Sequence, residues 1–439
     1  MAFATNILQT VTTYNKSGIA ALLNLNVWVG IGNKKFYKFN EIVANLGTSV
    51  TGDKPPRFST QNTIAVANYL PLQQRTFTLT VNQVSSIPYA GTDFERIFHI
   101  DKPNAGPDDI GNYMKVFGNA AMIRIGQDVD AYMSGVVESS TFRFFGDGVT
   151  PINTVGQLAN AYAQFVEFGA VPSMCRGILP NIITPSIINT ALNQFVPIRN
   201  EDEAKSWEIG NWNNVDWLRT NVMKTHTSGT VAQTGQTLTL VSVSPDGLTL
   251  TFSGATASDA NAVKAFDVFQ FQFGVVGQPD VYFTSFAKQD LPVSHPVQFA
   301  ALTDAGADGT GTVVITVNSY ALLGPVAAAT ANDLQDQSLS VDLAAGMQVK
   351  GVPSHICGLM YSGDALYLAM PQLPSTDPYK GSNVMDPETG VGMRLYYGYL
   401  PGQGEQAWIT QTIYGATLIP EYSMRICIPI SQGIFFPGA

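Results

Sequence analysis

Residues 106–137 read GPDDIGNYMKVFGNAAMIRIGQDVDAYMSGVV. Gly106 precedes Pro107, whose missing N–H is not needed at a first helical position, and Asp108 and Asp109 occupy the first turn, where the helix dipole favours acids. Ile110, Met114, Phe117, Ala121, Ile125, Val129, Tyr132 and Val136 then recur every three or four residues. That spacing draws one apolar stripe along a helix. At about 1.5 Å per residue the helix spans roughly 45 Å, long for a globular domain. The stripe is expected to face a sheet. Arg124, Asp128 and Asp130 lie off it, and the two aspartates are expected on a solvated or subunit-facing edge.

Towards the N-terminus, residues 52–86 read as a long hairpin opened by Gly52-Asp-Lys-Pro-Pro56. Its strands are Phe58–Val66 and Arg75–Val84. In the second, Phe77, Leu79 and Val81 alternate with Thr76, Thr78, Thr80 and Asn82, the period of a strand with one packed face. Such a hairpin has little of its own chain to pack on, so it is expected to lie on a neighbouring subunit. Residues 1–50 read as an arm with helical pieces at Ile7–Tyr14 and Ile19–Leu25, after which Gly30 and Gly32 break the pattern.

Towards the C-terminus, Thr154 and Gln157 form a capping box for a helix over Val155–Phe168, which Gly169 ends. A strand near Arg176–Ile183 leads through Thr184-Pro185 to a third helix ending about Phe195. The composition then shifts. Between Met223 and Gln348 all ten acidic residues are Asp, with three Lys and no Arg or Glu. Leu238–Val243, the turn Ser244-Pro-Asp-Gly247 and Leu248–Phe252 make a hairpin. Val268–Phe273, Val281–Phe286 and Thr312–Val317 read as further strands of a small barrel or sandwich, inserted in the chain and expected to fold as a separate unit. Strands return at Ala365–Met370, Met393–Tyr399, Trp408–Tyr414 and Met424–Ile430.

The chain has 439 residues, enough to bury a large core without disulfides or metal. Only 13% are charged, about half the usual share. So few charges suit a protein that hides its surface against copies of itself. The net charge is −10, and no Lys/Arg stripe of a nucleic-acid grip is present. Cys175, Cys357 and Cys427 are scattered, without CxxC spacing, and read as buried reduced thiols. No signal-peptide pattern opens the sequence and no run of about 18 apolar residues occurs, so synthesis in a cytoplasm is expected.

Few residues propose chemistry. His99, His226, His295 and His355 have no partners at ligand spacing. Gly30-Ile-Gly32-Asn-Lys-Lys35 lacks the remaining glycine or GK[ST] of a phosphate loop and reads as a bend. Asp304-Ala-Gly-Ala-Asp308-Gly309 has Gly306 and Ile315 where a calcium loop needs ligands, and reads as a hairpin turn. Trp207, Trp212 and Trp217 suit a packed junction between domains better than a sugar platform. No catalytic, cofactor-binding or metal residue is assigned.

The order of these parts resembles one family. Asn62-Thr-Ile64 and Thr78–Asn82 resemble the two strands of the extended loop in the Hong Kong 97-like capsid fold, and Asp108–Met133 resembles its spine helix. Asn214-Val-Asp-Trp-Leu-Arg219 with Lys224-Thr-His-Thr-Ser-Gly229 resembles the entry into an inserted domain, and Leu339-Ser-Val-Asp342 through Ile430 resembles the closing segment. The chain is most similar to the podovirus-type major capsid proteins of tailed double-stranded DNA bacteriophages. The resemblance implies an α+β fold, with an N-terminal arm at 1–50, an extended loop at 51–86 and a peripheral domain with the spine helix at 87–150. The axial domain begins at 151–222, the inserted β domain occupies 223–348, and closing axial and peripheral strands run over 349–439. It also implies hexamers and pentamers of an icosahedral shell around DNA, assembled in the host cytoplasm with a scaffolding protein and a portal, without enzymatic activity or cofactor. A cellular nanocompartment shell of the same fold and a β-rich surface adhesin are the alternatives.

Overall fold

The computed structural model describes residues 27–33, 49–54, 76–92, 119–169, 175–183, 187, 208–212, 214–284, 292–317, 322–325, 338–363, 365–371, 381–386, 391–400 and 405–433. These build a strand-rich α+β protein in two units. The first comprises Met1–Asp53, Thr76–Met133 and Leu366–Thr417; the second comprises Lys54–Arg75, Ser134–Ala365 and Leu418–Ala439.

The expected long helix is present over Asn119–Ser140, three residues beyond its expected end, while its expected start lies outside the described residues; its residues up to Met133 belong to the first unit. Ala121, Met122, Ile125, Val129 and Met133 are buried along it, and Tyr132 meets Tyr414 edge-on at 5.4 Å. Tyr414 belongs to the strand Glu405–Leu418 of a five-stranded sheet. That strand is flanked by Val391–Leu400 and also pairs with Gln83–Thr92, in register from Glu405↔Thr92 to Tyr414↔Gln83.

Several expectations change here. Thr76–Thr80 is a strand with Phe77 and Leu79 buried, but its described partner is Ser49–Asp53, in register from Ser49↔Thr80 to Asp53↔Thr76. Phe58–Val66 lies outside the described residues. The base of the hairpin also packs on its own chain. Phe77 stacks on Tyr367 at 4.8 Å, and Leu79 and Val81 share a core with Val50 and Ala369. The alternation identified the packed face correctly but not what covers it.

Asp130 is 2% exposed rather than at an edge, and accepts the Val29 N–H at 3.1 Å. It thereby satisfies a donor at the start of the short helix Val27–Ile31. Gly30, expected to break the chain, sits exposed inside that helix, whose Trp28, Val29 and Ile31 are buried. Burial of those side chains outweighs glycine's poor helical preference, about 1 kcal/mol. The helical pieces expected at Ile7–Tyr14 and Ile19–Leu25 lie outside the described residues.

The second unit is built on a seven-stranded sheet. Its main path runs Phe144–Phe145, Ser423–Pro429, His355–Ser362, Cys175–Pro180, Val215–Thr220 and Glu208–Trp212, and Thr225–His226 also pairs with His355–Ser362. Every residue of Ser423–Pro429 is buried, so this strand is covered on both faces. Met424, Ile426 and Ile428 point into one core with Leu158, Ala161 and Phe165 of the helix Val155–Glu167. Thr154 caps that helix through the Gln157 N–H, and the Gln157 side chain returns to the Thr154 N–H, as expected. Trp217 is buried against Gly177, where an added Cβ would come within 2.3 Å of the indole ring.

Cys427, on the opposite face of Ser423–Pro429, joins the core of a six-stranded sheet. That sheet is ordered Gln298–Ala300, Val268–Phe271, Gln348–Gly351, Thr237–Val243, Thr249–Ser253 and Thr312–Thr316. The bridge Ala301↔Val317 and the Leu302 N–H to Thr316 carbonyl bond join its first and last strands, closing a barrel. The hairpin between Thr237–Val243 and Thr249–Ser253 has Gly247 at φ +67° in its turn, a conformation that glycine adopts freely. Leu238, Leu240, Leu250, Phe252, Phe269, Phe299, Val313 and Ile315 are buried in this core. The same core continues to Phe142, Phe144 and Phe168 outside the barrel.

The strand Phe144–Phe145 is the free edge of the seven-stranded sheet, and the Gln298 side chain occupies that edge. Its Oε1 accepts the Phe144 N–H at 2.9 Å and its Nε2 donates to the Phe144 carbonyl at 2.9 Å. Gln164 adds a second donor to that carbonyl.

Candidate functional site

Five ionisable side chains distant in sequence meet where the barrel joins the rest of the second unit. Glu138 comes from the last turn of the long helix, His226 from Thr225–His226 and Asp267 from the turn before Val268–Phe271. His355 begins one strand of the seven-stranded sheet, and Arg425 lies in its fully buried neighbour.

His226 is the bridge. Its Nδ1 lies 2.8 Å from Glu138 Oε1 and its Nε2 lies 2.8 Å from Asp267 Oδ1. Two carboxylate partners require both ring nitrogens to carry protons, so the ring is an imidazolium. Burial opposes the charge, but the hydrogen bonds to Asp267 and Glu138 outweigh it and hold His226 above the ordinary histidine value. Asp267 also accepts the N–H groups of Gly229 and Lys264, which pins the chain entering the barrel. Lys224 stands 3.9 Å from Glu138.

Arg425 holds the other side. Its Nε donates to Thr141 Oγ1 at 3.0 Å, its Nη1 to the Phe266 carbonyl at 3.2 Å, and its Nη2 to the Glu138 carbonyl. Phe266 has φ +68°, a strained conformation for a bulky residue. The bonds to Arg425 and from the Phe266 N–H to Ala301 hold it there. His355 Nδ1 faces the Pro353 carbonyl at 2.8 Å, and its Nε2 faces Arg425 Nη1 at 3.5 Å. Burial and then Arg425 hold His355 well below the ordinary value, so it is neutral. Two acids thus offset His226 and Arg425, the pairing a buried charge requires.

Both nitrogens of His226 are committed to carboxylates, and the Cys357 thiol beside it is pushed up by burial, so the cluster acts as a clamp. It ties the end of the long helix, three strands of the seven-stranded sheet and the turn before Val268–Phe271. The isolated histidines of the sequence gave no sign of it, because its members lie up to 287 residues apart. The one local signal was Arg425 inside the otherwise apolar run Met424-Arg-Ile-Cys-Ile428.

The other sequence candidates are placed as follows. His295 pairs with Glu167 at 2.8 Å, and His99 lies outside the described residues. Asp308 accepts the N–H groups of Thr310 and Thr312 in the turn that follows it, while Ala305 bridges Val263 and Asp304 accepts the Ala265 N–H. Trp217 is core, while Trp207 lies outside the described residues. The three cysteines are buried thiols outside any disulfide, and burial pushes the Cys357 thiol up to about 11. Asp128 pairs with Arg124 at 3.2 Å and accepts from Ser85. Among the described residues no group of three or more acids, histidines and cysteines could hold a metal, and no helix is long and apolar enough to cross a membrane. A cavity of about 640 Å³ lies within the second unit, lined by Asp147, Gln157, Gln164, Gln270, Gln298 and Lys350 among others; it does not include the clamp.

No family model and no curated protein matches the sequence. Solved structures do. A structure described as Mycobacterium phage Che8 has a TM-score of 0.41 at 9% identity, covering 91% of this chain and 90% of that one. The chain is similar to phage capsid structures. The capsid of the cyanophage P-SCSP1u gives 0.39 at 9% identity, covering 87% of this chain and 83% of that one. The capsid of Ralstonia phage GP4 gives 0.39 at 10% identity, covering 90% and 85%. No residue of this chain takes a role from them.

Proposed function

We propose that the protein is the major capsid protein of a tailed double-stranded DNA phage, assembling through copies of itself into an icosahedral shell around the genome. The observation that supports this most is the order of elements along the chain. A hairpin base at 49–53 and 76–80 is followed by the helix Asn119–Ser140, a mixed sheet, a closed barrel inserted between Thr220 and His355, and returning strands. That order is the one a Hong Kong 97-like coat protein with an inserted domain requires. In this reading residues 51–86 are the extended loop, which reaches a neighbour. Helix 119–140 is the spine, and the barrel is the insertion. Scaffolding and portal proteins are the partners during assembly in the host cytoplasm.

Composition supports the same reading. With 13% charged residues, contacts between copies are made at little desolvation cost, and a net charge of −10 leaves the shell without a strong hold on DNA. Electron microscopy and light scattering of the purified protein test it. Closed shells or capsomers are expected, with DNA rather than protein cargo in particles from infected cells. Monomers under all assembly conditions would refute it.

A further inference from the structure

The histidines of the clamp face each other at 5.3 Å and are held in opposite protonation states by their partners. Around His355 the donors and acceptors are fixed by geometry. The Pro353 carbonyl can only accept, so Nδ1 carries the proton. The Arg425 guanidinium can only donate, so Nε2 presents its lone pair. A second proton on His355 would have to sit on Nε2, pointing at the guanidinium.

Among the described residues no carboxylate near His355 is left to compensate it. Glu138 on the long helix and Asp267 on the barrel turn are both taken by His226. The remaining ionisable neighbours are the imidazolium of His226, Lys224 beside Glu138, and the thiols of Cys357 on the same strand and Cys427 on the next. We propose that His355 is an acid-sensitive latch: its protonation sets two cations against each other, pulls Arg425 from Glu138, Thr141 and Phe266, and loosens the root of the barrel.

The sign follows from the two rings. His355 is held below the ordinary histidine value in the closed clamp, so the open state binds its proton first. Closure is therefore complete above about pH 6.5 and weakens as pH falls towards the folded value, about tenfold in the opening equilibrium per pH unit. His226 is held above that value, so its contribution is full below about pH 6.5 and fades as pH rises through its folded value. The clamp closes best between these limbs, and His355 supplies the acid one.

Hydrogen–deuterium exchange of the full chain tests this, at pH 7 and pH 5 and corrected for intrinsic rates. Backbone amides near 138–143, 226–229, 264–268 and 423–427 should open about tenfold more at pH 5. His355→Gln keeps a donor and an acceptor in the side chain but cannot titrate, and it should abolish that acid response. His226→Gln should open more than the parent at pH 7 and show a weaker acid response, because Glu138 and Asp267 are then available to a charge on His355. An equal acid response in His355→Gln would assign the effect to the carboxylates and overturn the proposal. A parent that stays closed at pH 5 would also overturn it. If His355→Gln does not fold, histidine ring NMR of the parent decides. Ring protonation of His355 must coincide with opening, and a ring still neutral while the clamp opens refutes the latch.

Discussion

Asp130→Asn should stabilise the subunit at pH 8 and not at pH 4. Asp130 is a buried residue of the long helix and accepts N–H groups from the start of the helix Val27–Ile31. Desolvation pushes its carboxyl from 3.8 to about 7, against the pull of the Val29 and Trp28 hydrogen bonds. The unfolded chain ionises near 4 and the folded one near 7. Between those values the folded state binds more protons, so stability falls as pH rises. A displacement of that size corresponds to about 4 kcal/mol once both states are ionised. Asparagine keeps an oxygen for the Val29 N–H and removes the ionisation, but its buried NH₂ can lose about 1–3 kcal/mol for want of a partner. The net gain at pH 8 is then about 1–3 kcal/mol, while at pH 4 only the loss remains. Urea unfolding of unassembled subunits, parent and variant at each pH, reads the difference directly, because titration elsewhere cancels between them. A variant-minus-parent difference that does not change with pH would refute the account of Asp130.

Other outcomes follow from packing. Replacing residues 55–74 by a short turn should leave a folded subunit by circular dichroism and stop assembly, because the ladder Ser49–Asp53 with Thr76–Thr80 is retained. Extending the deletion to Gln83 removes the buried Leu79 and Val81 and should destabilise the subunit itself by several kcal/mol, about 2–5 for one such side chain. Trp217→Ala should lower subunit stability by about 3–5 kcal/mol in urea unfolding, since the indole is fully packed on Gly177. Arg124→Ala should change it by less than about 1 kcal/mol, because Arg124 is 66% exposed in its pair with Asp128. A particle count on that variant reports separately whether this edge of the helix serves assembly.

What was legible in the sequence was local. The long helix announces itself by spacing, the Val155–Glu167 helix by its capping box, and the 237–253 hairpin by a turn that needs Gly247. Strand pairing is not local. A period of two in Thr76–Thr80 shows that Phe77 and Leu79 share a face, and says nothing of Ser49–Asp53 as partner. His355–Ser362 was missed because a strand buried on both faces has no alternation to detect. Asp130 stands two residues from Asp128, enough to say that they diverge but not that one enters the core. The clamp was invisible because its charges come from five separate elements and meet only in the folded chain.

The bond pair from Gln298 to Phe144 carries one more consequence. An open sheet edge is a template on which a stray strand can add, and crowding many copies together raises that hazard. Here a side-chain amide imitates the backbone of a missing strand and fills the edge, and it is supplied by the barrel. Correct barrel folding is thus what blunts the edge. A chain whose barrel is late or damaged would present Phe144–Phe145 unguarded to its neighbours, so its failure would take the form of aggregation before loss of the sheet.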